Sequence, residues 1–135
     1  MSDGEALLAY RMAQAKETLA DAKQMMQANL SPRSIANRAY YAMFYALLGL
    51  FLGSNVHLKT SKHVGVISIF DREFIHSGKV DVKYSKALHK VFDLRLESDY
   101  RELVDISVQD ATDAVSLAEE FLQMALSFVE KGVGL

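Results

Sequence analysis

The sequence contains no cysteine and a single proline in 135 residues. Without cysteine there is no disulfide, no thiolate metal site and no cysteine nucleophile, and the chain fits a reducing, cytoplasmic setting. One proline and seven glycines leave few breakpoints. Repeats, linkers and low-complexity tracts are missing. The opening residues, MSDGEALLAYRM, lack the basic stretch and apolar run of a secretory signal. The longest charge-free stretch lies between Arg38 and Lys59, and its apolar part ends near Leu52. That is expected to fall short of the roughly 20 apolar residues of a membrane span, so no membrane partner is expected. The four histidines, His57, His63, His76 and His89, form no i, i+4 pair and no HExxH, which argues against a metal site. GxGxxG, the P-loop and GxSxG are absent, so no cofactor is expected.

Half the residues are hydrophobic and 24% are charged, the balance of a globular chain. The length suits one domain able to bury a core without staples. Net charge is −2, which does not advertise nucleic-acid binding. The distribution is uneven: residues 57–90 carry seven bases and three acids, residues 91–135 three bases and ten acids. A basic belt therefore precedes an acidic final third.

Helical periodicity dominates. Helix 1 is expected from about Gly4 to Ala28, with Leu8, Met12, Ala15, Leu19, Ala22 and Met26 in one stripe. Ser31-Pro32 reads as an N-cap and first-turn proline, opening helix 2 to about Leu52. Helix 2 is apolar nearly all round after Asn37, so it should be the buried centre. Helix 3 is expected over about Thr60 to Phe74, capped by Thr60 or Ser61. Helix 4 is expected over Asp81 to Ser98, and helix 5 from after Ser107 to Gly132. The fold class is all-α, an up-and-down bundle of about five helices, with helices 1 and 5 as antiparallel partners flanking helix 2.

Three constellations could carry chemistry. Arg38 shares a helical stripe with Ser34, Tyr41 and Tyr45 beside the most apolar stretch of the chain. A guanidinium there must pair with a carboxylate such as Asp99 or Glu97, face a cleft, or sit at an interface. As a functional group it would clamp a phosphate or carboxylate at a groove floor. The second constellation is Arg95-Leu-Glu-Ser-Asp99-Tyr100, closing helix 4. The third is cationic: Lys79, Lys83, Lys86 and Lys90 along helix 4, with Lys59, Lys62 and His63 at the start of helix 3. It reads either as a solvated face or as a contact for nucleic-acid phosphates or an acidic partner.

Three segments together resemble a known family. SIANRAYYAMFYALLGLFL, KTSKHVGVISIFDREFIHSGKVD and FDLRLESDYRELVDIS are similar, in that order, to the small stand-alone HEPN proteins (higher eukaryotes and prokaryotes nucleotide-binding domain). The resemblance covers residues 5–131 as one HEPN-like domain. It implies a homodimer and a minimal nucleotidyltransferase partner of the toxin–antitoxin type. Its ligand would be nucleotide or RNA. Many members are metal-independent ribonucleases using Arg-x(4–6)-His near the end of their fourth helix. Arg95 matches the arginine, but positions 100–102 are Tyr100, Arg101 and Glu102. The acid–base imidazole that RNA cleavage needs near neutral pH is missing there.

The groove expected from this reading contains Arg38, Tyr41, Tyr45, Arg95, Asp99 and Tyr100, with Lys59, Lys62, His63, Lys83, Lys86 and Lys90 at its rim. Three functions follow. A binding or nucleotidyltransferase-partner module without full ribonuclease activity comes first. The others are a divergent ribonuclease toxin using Arg95, with Tyr100 or His63 standing in for the histidine, and a structural dimerisation module.

Overall fold

In the computed structural model of the chain, residues 2–100 and 105–133 are described, with side chains over 2–99 and 105–131. The described residues form five helices and no strand: α1 (Asp3–Gln27), α2 (Pro32–Gly53), α3 (His63–Phe70), α4 (Val82–Tyr100) and α5 (Val108–Val133). The chain is all-α, as the periodicity predicts.

Local chemistry sets the helix ends. Ser31 Oγ accepts the Ser34 amide at 3.2 Å, with Pro32 in the first turn. Glu5 N donates to Ser2 Oγ at the start of α1. Ser107 and Asp110 cap each other's amides at the start of α5, and Asp81 Oδ1 accepts Lys83 N before α4. Asn29 and Asn55 follow α1 and α2 with φ of 57° and 56°, a left-handed conformation that asparagine tolerates.

The third helix departs from expectation. It begins at His63, not Thr60, and its cap residue Lys62 makes no side-chain cap bond. Thr60 Oγ1 instead accepts Lys62 N at 3.2 Å, a local side-chain bond that turns the chain before the helix starts. At its other end α3 widens into a π turn over Asp71–Ile75. There the Asp71 carboxylate meets α4, accepting Ser85 Oγ at 2.6 Å and lying 2.7 Å from His89 Nε2.

Contacts along the helices fix their directions. Gly49 of α2 lies against Met12 of α1, and Gly53 lies against Val129 of α5. Lys23 pairs with Glu119 at 2.8 Å, while Glu5 and Glu130 share a hollow at the opposite end. Tyr40 meets Phe92, while Asp99, further along α4, shares a hollow with Arg33, Ser34 and Asn37 of the first turns of α2. Helices α1 and α4 therefore run one way, α2 and α5 the other. The short α3 lies on the crossover between α2 and α4.

Helix α2 is the centre, packed on α1, α4 and α5. Twelve of its residues are buried, among them Tyr40, Met43, Leu47, Leu50 and Phe51. By length and hydropathy α2 could cross a membrane, contrary to the expectation that its apolar run falls short. Its 67% burial inside the bundle shows what that apolar surface packs against. The floor of the core is aromatic, with Phe70–Phe121, Phe51–Phe74 and Phe74–Phe128 centroids 5.5–5.8 Å apart.

Candidate functional site

Antiparallel packing of α2 on α4 brings residues 38–44 against residues 92–99, and α3 delivers its first residue to the same place. Arg95 is the hub. Its side chain is only 13% exposed, and Nε lies 2.9 Å from Asp99 Oδ2, one helical turn on. Nη2 donates to Tyr41 Oη at 3.2 Å. The guanidinium carbon lies 5.5 Å from the ring centroids of both Tyr40 and Tyr41. A nearly buried cation is tolerable because, among the described residues, a carboxylate, a phenol oxygen and two aromatic rings stand in for its water. Ser98, fully buried, donates back to the Arg95 carbonyl at 2.9 Å and steadies this turn.

Arg38 is not paired with Asp99 or Glu97, the carboxylates the sequence offered it. Among the described residues Asp99 is taken by Arg95. Arg38 donates Nε and Nη2 to Asn37 Oδ1 at 3.3 and 2.9 Å, and its guanidinium stands 5.3 Å over the Tyr41 ring. It separates two hollows. One, about 360 Å³, is lined by Met25, Arg33, Ser34, Asn37, Arg38 and Asp99. The other, about 330 Å³, lies toward α1 and includes Tyr10, Glu17, Asp21 and Tyr45. Two larger hollows, of about 640 and 550 Å³, open between α4 and α5 and between α1 and α5. Neither includes any part of the Arg95 cluster.

His63 lies inside this cluster, closer than the rim position expected for it. Its Nδ1 is 2.7 Å from Tyr40 Oη. Its ring stacks on Phe44, centroids 4.1 Å apart and 14° from parallel, and meets Tyr41 edge-on at 5.8 Å. Burial, seconded by the Arg95 charge, lowers the imidazole's pKa below its ordinary value. Burial also raises the Tyr40 phenol far above 10, with Arg95 partly opposing and Tyr41 reinforcing. Both groups are thus neutral near pH 7. With the phenol as donor, Nδ1 accepts and Nε2 carries the remaining ring proton.

The other expected residues scatter. Tyr45 touches Tyr41, centroids 5.9 Å apart, but lines the hollow on the α1 side. Lys59 and Lys62 are exposed just ahead of His63. Lys83, Lys86 and Lys90 are exposed on α4. At about 100° per residue they stand roughly 120–180° round the helix from Arg95, so the structure does not bring them to the groove. The Tyr100 side chain lies outside the described residues. Tyr40 belongs to the site although the stripe argument passed it by. The signal was present: a phenol in an apolar helix must find a hydrogen-bond partner when buried.

A family model described as the HEPN domain matches residues 8–129. A UPF0332 protein of Thermotoga maritima is 36% identical over 130 residues, covering 96% of each chain. Another UPF0332 protein, of Archaeoglobus fulgidus, is 36% identical over 124 residues, 92% of this chain and 96% of its own. A Methanocaldococcus jannaschii protein named as a proposed toxin is 36% identical over 86 residues, 64% of this chain and 62% of its own.

Proposed function

Because the chain belongs to the HEPN domain family, we propose that residues 5–131 form a nucleotide- or RNA-binding module whose phosphate site is the hollow between Arg38 and Asp99. In this reading the protein works in the cytoplasm as a homodimer, with a minimal nucleotidyltransferase as its partner. One observation carries the ligand class. The described residues lining the hollow include Arg33, Arg38 and one carboxylate, Asp99, already committed to Arg95. Guanidinium groups beside a neutralised carboxylate suit phosphate oxygens. Tyr45, in the adjoining hollow on the α1 side of Arg38, offers a ring on which a base can stack.

The test is a titration of the full chain with fluorescent single-stranded RNA and with mononucleotides at fixed low salt. Wild-type binding should weaken with salt, and Arg38→Ala should weaken it about tenfold or more with the fold retained. Absence of binding in the wild type would leave the cluster a structural device that sets bundle register.

The toxin reading is favoured by a separate observation. Two relatives are named as proposed toxins, and His63, with Nδ1 2.7 Å from Tyr40 Oη, is the imidazole this reading would draw on.

A further inference from the structure

We propose that the hollow between α1 and α2 is a base subsite selective for guanine, with Glu17 reading the edge of the base and Asp21 beside it. The proposal rests on the reading of the adjoining hollow, across Arg38, as the phosphate site.

The two hollows share Arg38 as a wall. The one toward α1 measures about 330 Å³, at the lower end of small-ligand pockets and enough for one planar base. Tyr10 lines it from α1 and Tyr45 from α2. Tyr10 is left 60% exposed, and Tyr45 rests against Tyr41, centroids 5.9 Å apart. Every base has a face that stacks on such rings, so selectivity has to come from polar groups that meet the base edge.

Those groups are two carboxylates. Glu17 and Asp21 lie one turn apart on α1, and both line the hollow. Helix chemistry does not account for them. Neither has a basic residue three or four positions away; each has only the other. Like charges at that spacing destabilise a helix. Neither forms an ion pair among the described residues, although Arg38 lines the same hollow. The neighbouring polar side chains of α1 are engaged. Gln14 Oε1 accepts from Arg11 Nη1 at 3.0 Å, and Thr18 Oγ1 donates to the Gln14 carbonyl at 2.7 Å. The carboxylates remain as uncommitted acceptors.

The packing register separates their roles. Gly49 of α2 lies against Met12 of α1. In an antiparallel pair this brings Tyr45 about level with positions 16–17 and Arg38 about level with position 23. Glu17 therefore stands at the Tyr45 end of the hollow, and Asp21 nearer the Arg38 end, where the guanidinium offsets its charge.

An ionised carboxylate accepts and cannot donate. Guanine presents two adjacent donors, the N1–H and the N2 amine, which match the two oxygens of one carboxylate. Adenine sets its amine beside the N1 lone pair, and cytosine sets its amine beside the N3 lone pair. Uracil flanks its single N3–H with two carbonyl oxygens. Glu17 thus attracts guanine and repels an acceptor on each of the others, so selectivity has both signs. The guanidinium of Arg38 stands between the carboxylates and the phosphate hollow, which keeps their charge from opposing the phosphate.

The experiment titrates the full chain, at fixed low salt, with GMP, IMP, AMP, CMP and UMP, and with short single-stranded RNAs carrying one guanine or none. GMP should bind about tenfold or more tighter than AMP or UMP. IMP keeps the N1–H but lacks the N2 amine, and should fall between. A preference confined to the RNAs identifies the ligand as a guanine within a chain; one confined to GMP identifies a free nucleotide. Glu17→Gln should weaken GMP binding while AMP binds as tightly as before or more tightly, a split that misfolding does not produce. Equal binding with and without guanine, in both arms, overturns the proposal and leaves the phosphate site standing. A guanine preference that survives both Glu17→Gln and Asp21→Asn also overturns it. No binding of any nucleotide or RNA overturns the phosphate site first, and the proposal with it. If the variants do not fold, IMP decides: binding as tight as GMP rejects the carboxylate as reader.

Discussion

The phenol of Tyr40 and the imidazole of His63 meet at 2.7 Å, Oη to Nδ1, across 23 residues of sequence and the whole α2–α3 connection. The bond satisfies a buried hydroxyl and orients a half-buried ring in one contact. It also joins α3 to the central helix at the point where Arg95 arrives from α4. Much of the site's behaviour follows from this junction and from the Arg95–Asp99 pair beside it.

The imidazole of His63 should titrate below 6.5, because burial and then the Arg95 charge disfavour its protonated form. Arg95→Gln should move its titration upward, and an NMR titration of the ring protons reads this directly. The stability linkage has a definite sign. The folded pKa lies below the unfolded one, so the unfolded chain binds the extra proton. This contribution is fully present above pH 6.5 and is lost as pH falls through 6.5 toward the folded value. A His63→Gln variant should lose that segment of the pH dependence.

Tyr40→Phe removes the hydroxyl and leaves the ring in its packing. The cost should be about 1 kcal/mol, the net worth of one hydrogen bond, with the partner nitrogen still able to reach water. Urea unfolding at pH 7 measures it. A loss several times larger would mean that the phenol supports more of the junction than the one bond.

Asp99→Asn should act in opposite directions on stability and on anion binding. Arg95 would lose its carboxylate while only 13% exposed, costing about 1–3 kcal/mol once the partial exposure of Asp99 is allowed for. The neighbouring hollow would lose its negative charge, so inorganic phosphate and RNA should bind more tightly. Thermal unfolding with and without phosphate separates the two effects. Binding weakened by the change would place the anion elsewhere.

The two glycines at the end of α2 should respond differently to alanine. At Gly49 the new methyl meets the flexible end of Met12, with Cε at 2.8 Å. Methionine can move aside, and alanine gains about 1 kcal/mol of helix propensity. Gly49→Ala should be close to neutral. At Gly53 the methyl meets Val129 Cγ2 at 2.9 Å and Cγ1 at 3.1 Å. Valine's branched carbon is stiff, so overpacking should cost roughly 1–3 kcal/mol. Paired denaturation curves compare them.

Much was legible in the residues themselves. Helices α1, α2 and α5 follow from periodicity and from Ser31, Pro32 and Ser107, because amphipathic spacing and capping are local properties. The burial of α2 follows from its composition. The resemblance brought Arg95 into view beside the helix 2 stripe. The start of α3 was not legible, since the Thr60 bond to Lys62 competes with a cap there and both use the same residue types. The π turn at Asp71–Ile75 was hidden as well, because its stability comes from Ser85 and His89 on another helix.

The sequence alone determined an all-helical bundle around a central apolar helix with a single internal charge, Arg38, beyond its first turn, because each helix's face is written in its own spacing. Only the tertiary structure decided who partners whom. Asp99 went to Arg95 instead of Arg38, the lysines of α4 faced away, and His63 came from the rim to Tyr40. Those choices depend on rotation and crossing of helices against each other, which no single helix's pattern contains. The awkward charge of α2 proves to be one wall of a site whose hub is on α4 and whose imidazole is on α3.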